Sequence, residues 1–193
     1  MKKFLFISSI AIILVVSWCS KIDQNQDVEK WETLSNNVSQ TELYESKEGF
    51  EVYFPKSWDY RENVGGVYNV IFVSQPKNKN PLSAGMVSFH IYKFPWNHAP
   101  SGGDISLDAV YASTRSGIEK DYKILREEDI KIDWVPAKKI IFQGVDNGEA
   151  DKMQEIIFIK NRVSYTIIYT SILDYFDEFY KEAESIITSF KSE

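Results

Sequence analysis

Cysteine and histidine are almost absent from this sequence, and their scarcity excludes several kinds of chemistry. The 193 residues include one cysteine, Cys19, and two histidines, His90 and His98. A single cysteine cannot form a disulfide within the chain. The only cysteine lies at the end of an N-terminal apolar run typical of a signal peptide, which makes a catalytic Cys/His pair implausible, and a zinc site would need ligands at a recognisable spacing. We therefore expect no metal site and no cofactor, and we expect His90 to be a structural residue within a strand.

Motifs for other kinds of catalysis are also missing. The pairs Gly65-Gly66 and Gly102-Gly103 do not fit the spacing of a nucleotide-binding loop. Glu127, Glu128 and Asp129 are consecutive, so on a strand they would alternate between its two faces and would not converge. The sequence therefore predicts no catalytic residues and favours a protein that is not an enzyme. A hydrolase-like site assembled from scattered carboxylates and serines stays open as an alternative.

Basic residues are fewer than acidic ones. The chain has 22 Lys and Arg against 28 Asp and Glu, which gives a net charge of -6. Loss of the first eighteen residues would remove Lys2 and Lys3 and change this to -8. An acidic domain without a stripe of basic residues is a poor candidate for binding nucleic acid. We therefore expect no nucleic-acid partner, and the 44% of apolar residues predicts one packed domain.

The N-terminus has the pattern of a secretory signal peptide. Lys2 and Lys3 precede thirteen uncharged residues, 4–16, and Cys19 follows shortly after. A positive segment followed by a short apolar segment is typical of a signal peptide. Thirteen residues are fewer than the ~20 that span a bilayer as a helix, although an uncleaved anchor is an alternative. We predict that residues 1–18 are a signal peptide.

The residues before Cys19 resemble the lipobox of bacterial lipoproteins. Val16 and Ser17 fit that pattern, whereas Trp18 departs from it because the position before the cysteine usually holds a small residue. The resemblance implies that Cys19 carries fatty acids such as palmitate. Two or more acyl chains would hold the protein firmly on a membrane. We expect lipid attachment at Cys19, on the cell membrane or the outer membrane, with the domain outside the cytoplasm.

A polar segment separates Cys19 from the predicted domain. Residues 20–48 are rich in Asn, Gln, Ser, Lys and Glu. As a flexible coil this segment would span on the order of 30 Å. Trp31, Leu34 and Val38 are spaced as one helical stripe, so a short helix that docks on the domain is an alternative. We predict a tether over residues 19–48 and a folded domain over residues 49–193.

Patterns of apolar residues within that domain predict its strands and helices. Strands are expected at 50–54, 67–73, 86–94, 124–132, 138–144, 152–160 and 163–170. Ser106 is expected to cap a helix over 107–122, and Ser171 with Asp174 to cap a C-terminal helix. Pro136 is expected to interrupt the strands. This order predicts an α+β fold, with a largely antiparallel sheet of about six to seven strands and two main helices.

These segments resemble PsbP-like domains. The run Phe50-Glu51-Val52-Tyr53-Phe54-Pro55-Lys56-Ser57-Trp58 is similar to their opening strand, and Ser106-Leu107-Asp108 to the start of their first long helix. The end of the chain is similar through Phe176, Phe179, Ile186 and Phe190. The resemblance spans residues 49–191 and implies an α-β-α sandwich. It also implies a non-catalytic accessory or binding module, as in extrinsic photosystem II subunits and envelope lipoproteins of the DcrB type.

One loop outside the predicted core could contact a partner. Residues 95–104 join a strand to a helix and include Trp96 and His98. An aromatic side chain on a loop can anchor an interface, whereas in the alternative interpretation Trp96 folds back and caps the sheet. We expect a membrane-anchored lipoprotein of the cell envelope with a binding or assembly module and an unknown protein partner. A small-solute-binding protein with a deep apolar cleft is a further alternative.

Overall fold

Strands dominate the computed structural model, which describes residues 40–64, 68–75, 84–93, 106–146 and 149–193. The strands are β1 (Thr41–Ser46), β2 (Phe50–Pro55), β3 (Asp59–Val64), β4 (Tyr68–Val73), β5 (Met86–Lys93), β6 (Lys123–Ile132), β7 (Val135–Asp146), β8 (Glu149–Lys160), β9 (Val163–Ile172) and β10 (Lys191–Ser192). The helices are α1 (Leu107–Asp121) and α2 (Leu173–Thr188). Cys19, Trp96 and His98 lie outside the described residues.

The strands form two antiparallel sheets. The main sheet has seven strands in the order β3-β4-β5-β9-β8-β7-β6, and the small sheet has the order β1-β2-β10. Antiparallel hairpins link β6 to β7, β7 to β8 and β8 to β9. The α+β prediction is therefore confirmed, including its largely antiparallel sheet and two main helices. Neither helix in the described segments combines the length and the apolar character that a membrane span requires.

The main sheet lies between two layers. On β8, Ile156 belongs to the large core with α2 and the small sheet, whereas Met153 packs against the small core beneath α1. Because the two residues are an odd number of positions apart, they point to opposite faces of the strand. Helix α1 contacts β6, β7 and β8, and α2 contacts β2, β5, β8 and β9. The result is the expected sandwich, with the sheet between helices.

The apolar pattern of α2 explains its position. Phe176, Phe179, Ala183, Ile186 and Ile187 recur at three and four residues and are all buried. The first helix is more polar, and Ile118 is its one buried residue. Its start is as predicted, because the Ser106 side chain accepts a hydrogen bond from the backbone N–H of Ala109.

Strand β1 corrects the predicted boundary of the domain. The structure is ordered as a strand from Thr41, inside the segment 19–48 that we expected to be a tether. The strand buries one apolar side chain, Tyr44, and therefore lacks the alternating pattern that identifies a strand. Strand β3 was missed for the same reason, because five of its six residues are exposed.

Two predicted boundaries are wrong: Pro136 does not interrupt the strands, and Ser171 does not cap the C-terminal helix. Pro136 lies within β7 and pairs with Lys131, so the chain turns earlier, between Ile132 and Val135. Helix α2 begins after Ile172 without a side-chain cap, and the buried hydroxyl of Ser171 has no hydrogen-bond partner. Ser171 lies on β9, which extends to Ile172, so its side chain belongs to the sheet instead of the helix start.

Candidate interaction surface

Two tight turns lie side by side at one end of the main sheet. Asp133 and Trp134 connect β6 to β7, and Asn161 and Arg162 connect β8 to β9. All four have positive φ, at 47°, 66°, 50° and 65° in chain order. Two-residue hairpins with two positive φ values match the right-handed twist of the strands. The pairing of Ala137 with Phe158 in β7 and β8 brings the turns to the same end.

These turns and one flanking residue form what we name the tip surface: Lys131, Asp133, Trp134, Asn161 and Arg162. Lys131, Trp134, Asn161 and Arg162 are exposed, whereas Asp133 is partly buried. Trp134 is 90% exposed, which is far more than any other large apolar side chain recorded for the described residues. The indole therefore projects into solvent.

Asp133 holds the tip surface to the rest of the domain. Its Oδ2 accepts hydrogen bonds from Lys160 Nζ at 3.0 Å and from the backbone N–H of Ser192 at 3.1 Å. Lys160 also donates to the carbonyl oxygen of Ser192. Burial opposes ionisation of Asp133, but the bonds from Lys160 and Ser192 outweigh it and lower the pKa of this carboxyl. The turn is therefore preorganised by charge-assisted hydrogen bonds.

Packing does not explain the presence of tryptophan at position 134. A residue other than glycine in the left-handed region costs on the order of 1–3 kcal/mol, and asparagine or glycine would suit the turn better. Because the indole is exposed, no burial in the monomer offsets this cost in free energy. Strain that the fold does not require is more common at functional sites than elsewhere. Trp134 is thus the strongest candidate contact residue among the described residues.

An open cavity adjoins the tip surface. It has a volume of about 300 Å³ and lies where the β1–β2 turn meets the C-terminal strand. Its lining residues are Glu45, Ser46, Gly49, Phe50, Glu51, Lys191, Ser192 and Glu193. Three are acidic and one is basic, so the lining is acidic on balance. Ser192 lines this cavity and also binds Asp133, which fixes the cavity beside the tip surface.

A buried polar network lies between the sheet and α2. Lys139 Nζ donates to Tyr180 Oη at 3.1 Å and pairs with Glu184 Oε1 at 3.3 Å. Gln154 donates to the same Glu184 oxygen and accepts from Tyr180 Oη at 3.0 Å. Burial opposes the charge of Lys139, but the bond to Tyr180 and the charge of Glu184 raise its pKa overall. The ammonium is therefore held protonated, which suits a structural ion pair and not a nucleophile.

The carboxyl group of Glu155 lies on the other face of the main sheet from this network. Helix α1 covers that face in part. Its neighbours across the sheet are Ile140 on β7 and Ile168 on β9. Burial raises the pKa of Glu155 to about 7. A carboxyl group with such a pKa can serve as a general acid or base where a second reactive group faces it. Its two cross-strand neighbours are apolar, so this arrangement alone does not form a catalytic site.

The consecutive carboxylates at 127–129 alternate between faces, as predicted. Glu127 accepts a hydrogen bond from Tyr111 Oη at 2.5 Å and pairs with Arg115 at 3.1 Å. Asp129 pairs with Lys138 at 2.7 Å. The bonds to Glu127 tie α1 to the sheet edge, whereas the Asp129–Lys138 pair joins β6 to β7. The arrangement stabilises the docking of the helix at a modest level, as surface ion pairs do.

The remaining predicted site residues have different outcomes. Trp96, His98 and Cys19 fall outside the described residues, so the partner loop and the lipid attachment stay predictions. His90 is partly buried on β5, opposite Thr166. Within the segments that the structure describes, no three His, Cys, Asp or Glu side chains come together as metal ligands.

Sequence reasoning missed Trp134, although one signal pointed to it. Ile132 and Val135 are both apolar and are separated by two residues, which is the spacing of a two-residue hairpin. The intervening Asp-Trp is not a usual pair for such a turn, and the predicted break at 133–137 is attributed to Pro136 instead of to a two-residue hairpin.

No family model matches the chain, and no curated protein is significantly similar to it. Solved structures are similar in fold. LpqN, described as involved in cell envelope biogenesis of Mycobacterium tuberculosis, has a TM-score of 0.60 at 11% identity, over 79% of this chain and 90% of its own. Cyanobacterial PsbP from Synechocystis sp. PCC 6803 has a TM-score of 0.53 at 14% identity, over 80% and 93%.

A protein of unknown function from Pseudomonas aeruginosa is similar to the same extent. Its TM-score is 0.51 at 14% identity, over 78% of this chain and 95% of its own. At such identities a structural likeness establishes the fold alone. The domain therefore has a PsbP-like fold, as the resemblance of its segments implied.

Proposed function

We propose that this chain, whose domain has a PsbP-like fold, is a membrane-anchored lipoprotein of the cell envelope. In this proposal Cys19 carries the lipid, and the domain is a non-catalytic binding or assembly module outside the cytoplasm. The observation that carries the binding role is the 90% exposed indole of Trp134 on a preorganised turn. A structural neighbour described as involved in cell envelope biogenesis supports the location by analogy.

A binding role accounts better than catalysis for the polar residues of the domain. The buried Lys139 is paired within a closed network, and Glu127 is held by Tyr111 and Arg115. Such pairing fixes both side chains and holds each in its charged form at neutral pH, which does not suit a group that must gain and lose a proton. Trp134, in contrast, combines an apolar body and a polar N–H with a rigid support, which are the properties of an interface anchor.

The position of the chain entry fits an anchored module. Strand β1 begins at Thr41, paired with Pro55, and its other end, at Ser46, pairs with Phe50. Phe50 also pairs with Ser192, which binds Asp133 of the tip surface. The chain therefore enters the domain at the end opposite Trp134.

Replacing Cys19 by Ser tests the anchor. We expect the wild-type protein to incorporate an alkyne-labelled fatty acid in cells and to sediment with membranes. Cys19→Ser should lose the label completely and move the domain to the soluble fraction, because one apolar run of thirteen residues is too short to span a bilayer.

Trp18→Ala is the matched control, because it brings the sequence closer to the lipobox pattern without touching the acylated residue. It should keep the label and the membrane association. A Cys19→Ser protein that is unlabelled yet stays in membranes would identify residues 1–18 as an uncleaved anchor. A wild-type protein without label would contradict the lipoprotein assignment.

A further inference from the structure

We propose that the tip surface of one copy inserts Trp134 into the acidic cavity beside the tip surface of a second copy, to form a two-fold symmetric dimer. The inference deepens the proposed function, on which it rests, because it identifies the assembly partner as the same chain. It joins two features that are otherwise unexplained: a strained and exposed indole, and an open cavity of about 300 Å³.

Geometry favours two-fold symmetry. The tip surface and the cavity are adjacent, since Ser192 lines the cavity and donates to Asp133. Asn161 Nδ2 also donates to the carbonyl oxygen of Glu193, a second cavity residue, at 3.3 Å. A surface that carries both a projection and a hollow can pair with itself about a two-fold axis. Each copy then gives one Trp134 and receives one, and the assembly closes at two copies.

The lining of the cavity suits an indole in its chemistry. Burial of a tryptophan removes on the order of 150–250 Å² from water, and its N–H then needs an acceptor. Phe50, one of the lining residues, stacks on Phe89 and Phe190 at ring-centroid distances of 5.4 and 5.5 Å. This part of the lining is therefore backed by the aromatic core. Glu45 and Glu51 offer carboxylate acceptors.

Charge complementarity supports the same pairing. Lys131 and Arg162, both exposed, give the flank of the tip surface a positive charge. The cavity contributes Glu45, Glu51 and Glu193 against one lysine. In the proposed dimer the basic flank of each tip therefore faces the acidic rim of the other copy. Such complementarity fixes the register of an interface and disfavours like-charged partners.

Anchoring would strengthen a weak dimer. Strand β1 begins at Thr41, at the end of the small sheet away from the tip surface. Two copies confined to one membrane meet at a much higher effective concentration than they do in solution. An interface centred on two tryptophans therefore need not be tight in isolation to be formed on the membrane.

The first test measures the oligomeric state of the full-length protein in detergent by analytical ultracentrifugation. We expect a concentration-dependent equilibrium between monomer and dimer. Trp134→Asn should raise the dimer dissociation constant at least about thirty-fold, as removal of an interface hot spot does. Asparagine suits the positive φ of 66° at this position, so the melting temperature of the variant should be unchanged or higher.

Val145→Asn is the matched control, because Val145 is 70% exposed and lies at the opposite end of β7. Its dissociation constant should equal that of the wild type. Equal dimerisation of Trp134→Asn and the wild type, or assembly into open chains larger than a dimer, would overturn the proposal.

A charge exchange tests the pairing of tip with cavity directly. Lys131→Glu and Glu51→Lys should each weaken self-association, and the effect should shrink at high salt. A one-to-one mixture of the two variants should dimerise more tightly than either alone. In the mixed dimer one contact is native and the other has both charges reversed, so both contacts are complementary. A mixture no tighter than its components would contradict the proposed interface.

Different results would contradict the proposed dimer and the proposed lipid anchor. A protein that stays monomeric in these experiments, yet is still acylated and membrane-bound through Cys19, would overturn the dimer and leave the anchor intact. A dimer that forms in a chain without acylation would overturn the anchor alone.

Discussion

Replacing Phe190 by Ala is expected to lower the free energy of unfolding by about 3–5 kcal/mol, the usual cost of truncating a buried phenylalanine. Phe190 is 1% exposed and follows Ser189, the C-cap of α2. Its ring stacks on Phe50 at 5.5 Å and on Phe89 at 5.9 Å, and meets Phe158 edge-on at 5.3 Å. Because Phe50 belongs to the small sheet and Phe89 to the main sheet, one ring joins the two.

The surrounding aromatic rings prevent the structure from closing the cavity that Phe190→Ala would leave. Large rings held by several neighbours cannot collapse fully into a cavity, and the penalty rises with the volume that stays empty. Truncation should also loosen β10, which begins at the next residue, Lys191, and carries Ser192 to Asp133. We therefore expect Phe190→Ala to weaken the support of the tip surface as well as the core.

Urea unfolding measured by circular dichroism tests this expectation, with Leu43→Ala as the control. Leu43 lies on β1 and is 43% exposed, so its truncation should change the free energy of unfolding by less than about 1 kcal/mol. The loss of unfolding free energy in Phe190→Leu should lie between the losses in Leu43→Ala and Phe190→Ala. A Phe190→Ala protein as stable as Leu43→Ala would show that the ring does not join the sheets.

The fold could be predicted where burial follows a simple period. Strand β2 alternates buried Phe50, Val52 and Phe54 with more exposed residues, and α2 repeats its apolar residues at helical spacing. Local patterns of this kind report the face that each element buries. They fail at edges such as β3, where five of six residues are exposed and burial imposes no pattern.

The candidate surface could not be predicted in the same way, because tertiary contacts create it. Asp133 and Ser192 are 59 residues apart, yet their hydrogen bond fixes the turn that carries Trp134. No local rule favours Asp-Trp in a turn with two positive φ values. The cavity likewise combines the β1–β2 turn with the C-terminal strand. A surface built from separate segments appears only when the register of the sheets is known.

Replacing Glu155 by Gln is expected to stabilise the protein at pH 8 by about 3 kcal/mol and to have little effect at pH 4. Burial raises the pKa of this carboxyl from 4.5 to about 7 in the folded state. The folded state then binds the proton more tightly than the unfolded chain does. The contribution of this protonated carboxyl to the free energy of unfolding is therefore fully present below about pH 4.5. It is lost as the pH rises to 7, at about 1.4 kcal/mol for each pKa unit.

Glutamine removes this dependence because its amide does not ionise, while its size and polarity stay close to those of the protonated acid. The measurement is the free energy of unfolding of both proteins in urea at pH 4, 6 and 8. The difference between them isolates Glu155, because every other titrating group contributes equally to both. Glu42→Gln, an exposed change on β1, is the control for the substitution itself and should change the free energy of unfolding by less than about 0.5 kcal/mol.

The sign of the stability change in Glu155→Gln distinguishes a carboxyl that is buried without a cation from one that is paired with a cation. If a cation stabilised the Glu155 carboxylate in the folded protein, its pKa would be lowered, and Glu155→Gln would destabilise the protein at pH 8. A stabilisation that grows between pH 4 and pH 8 therefore identifies an ionisation opposed by the apolar residues Ile140 and Ile168 across the sheet. A stability difference independent of pH would contradict the burial of the carboxyl itself.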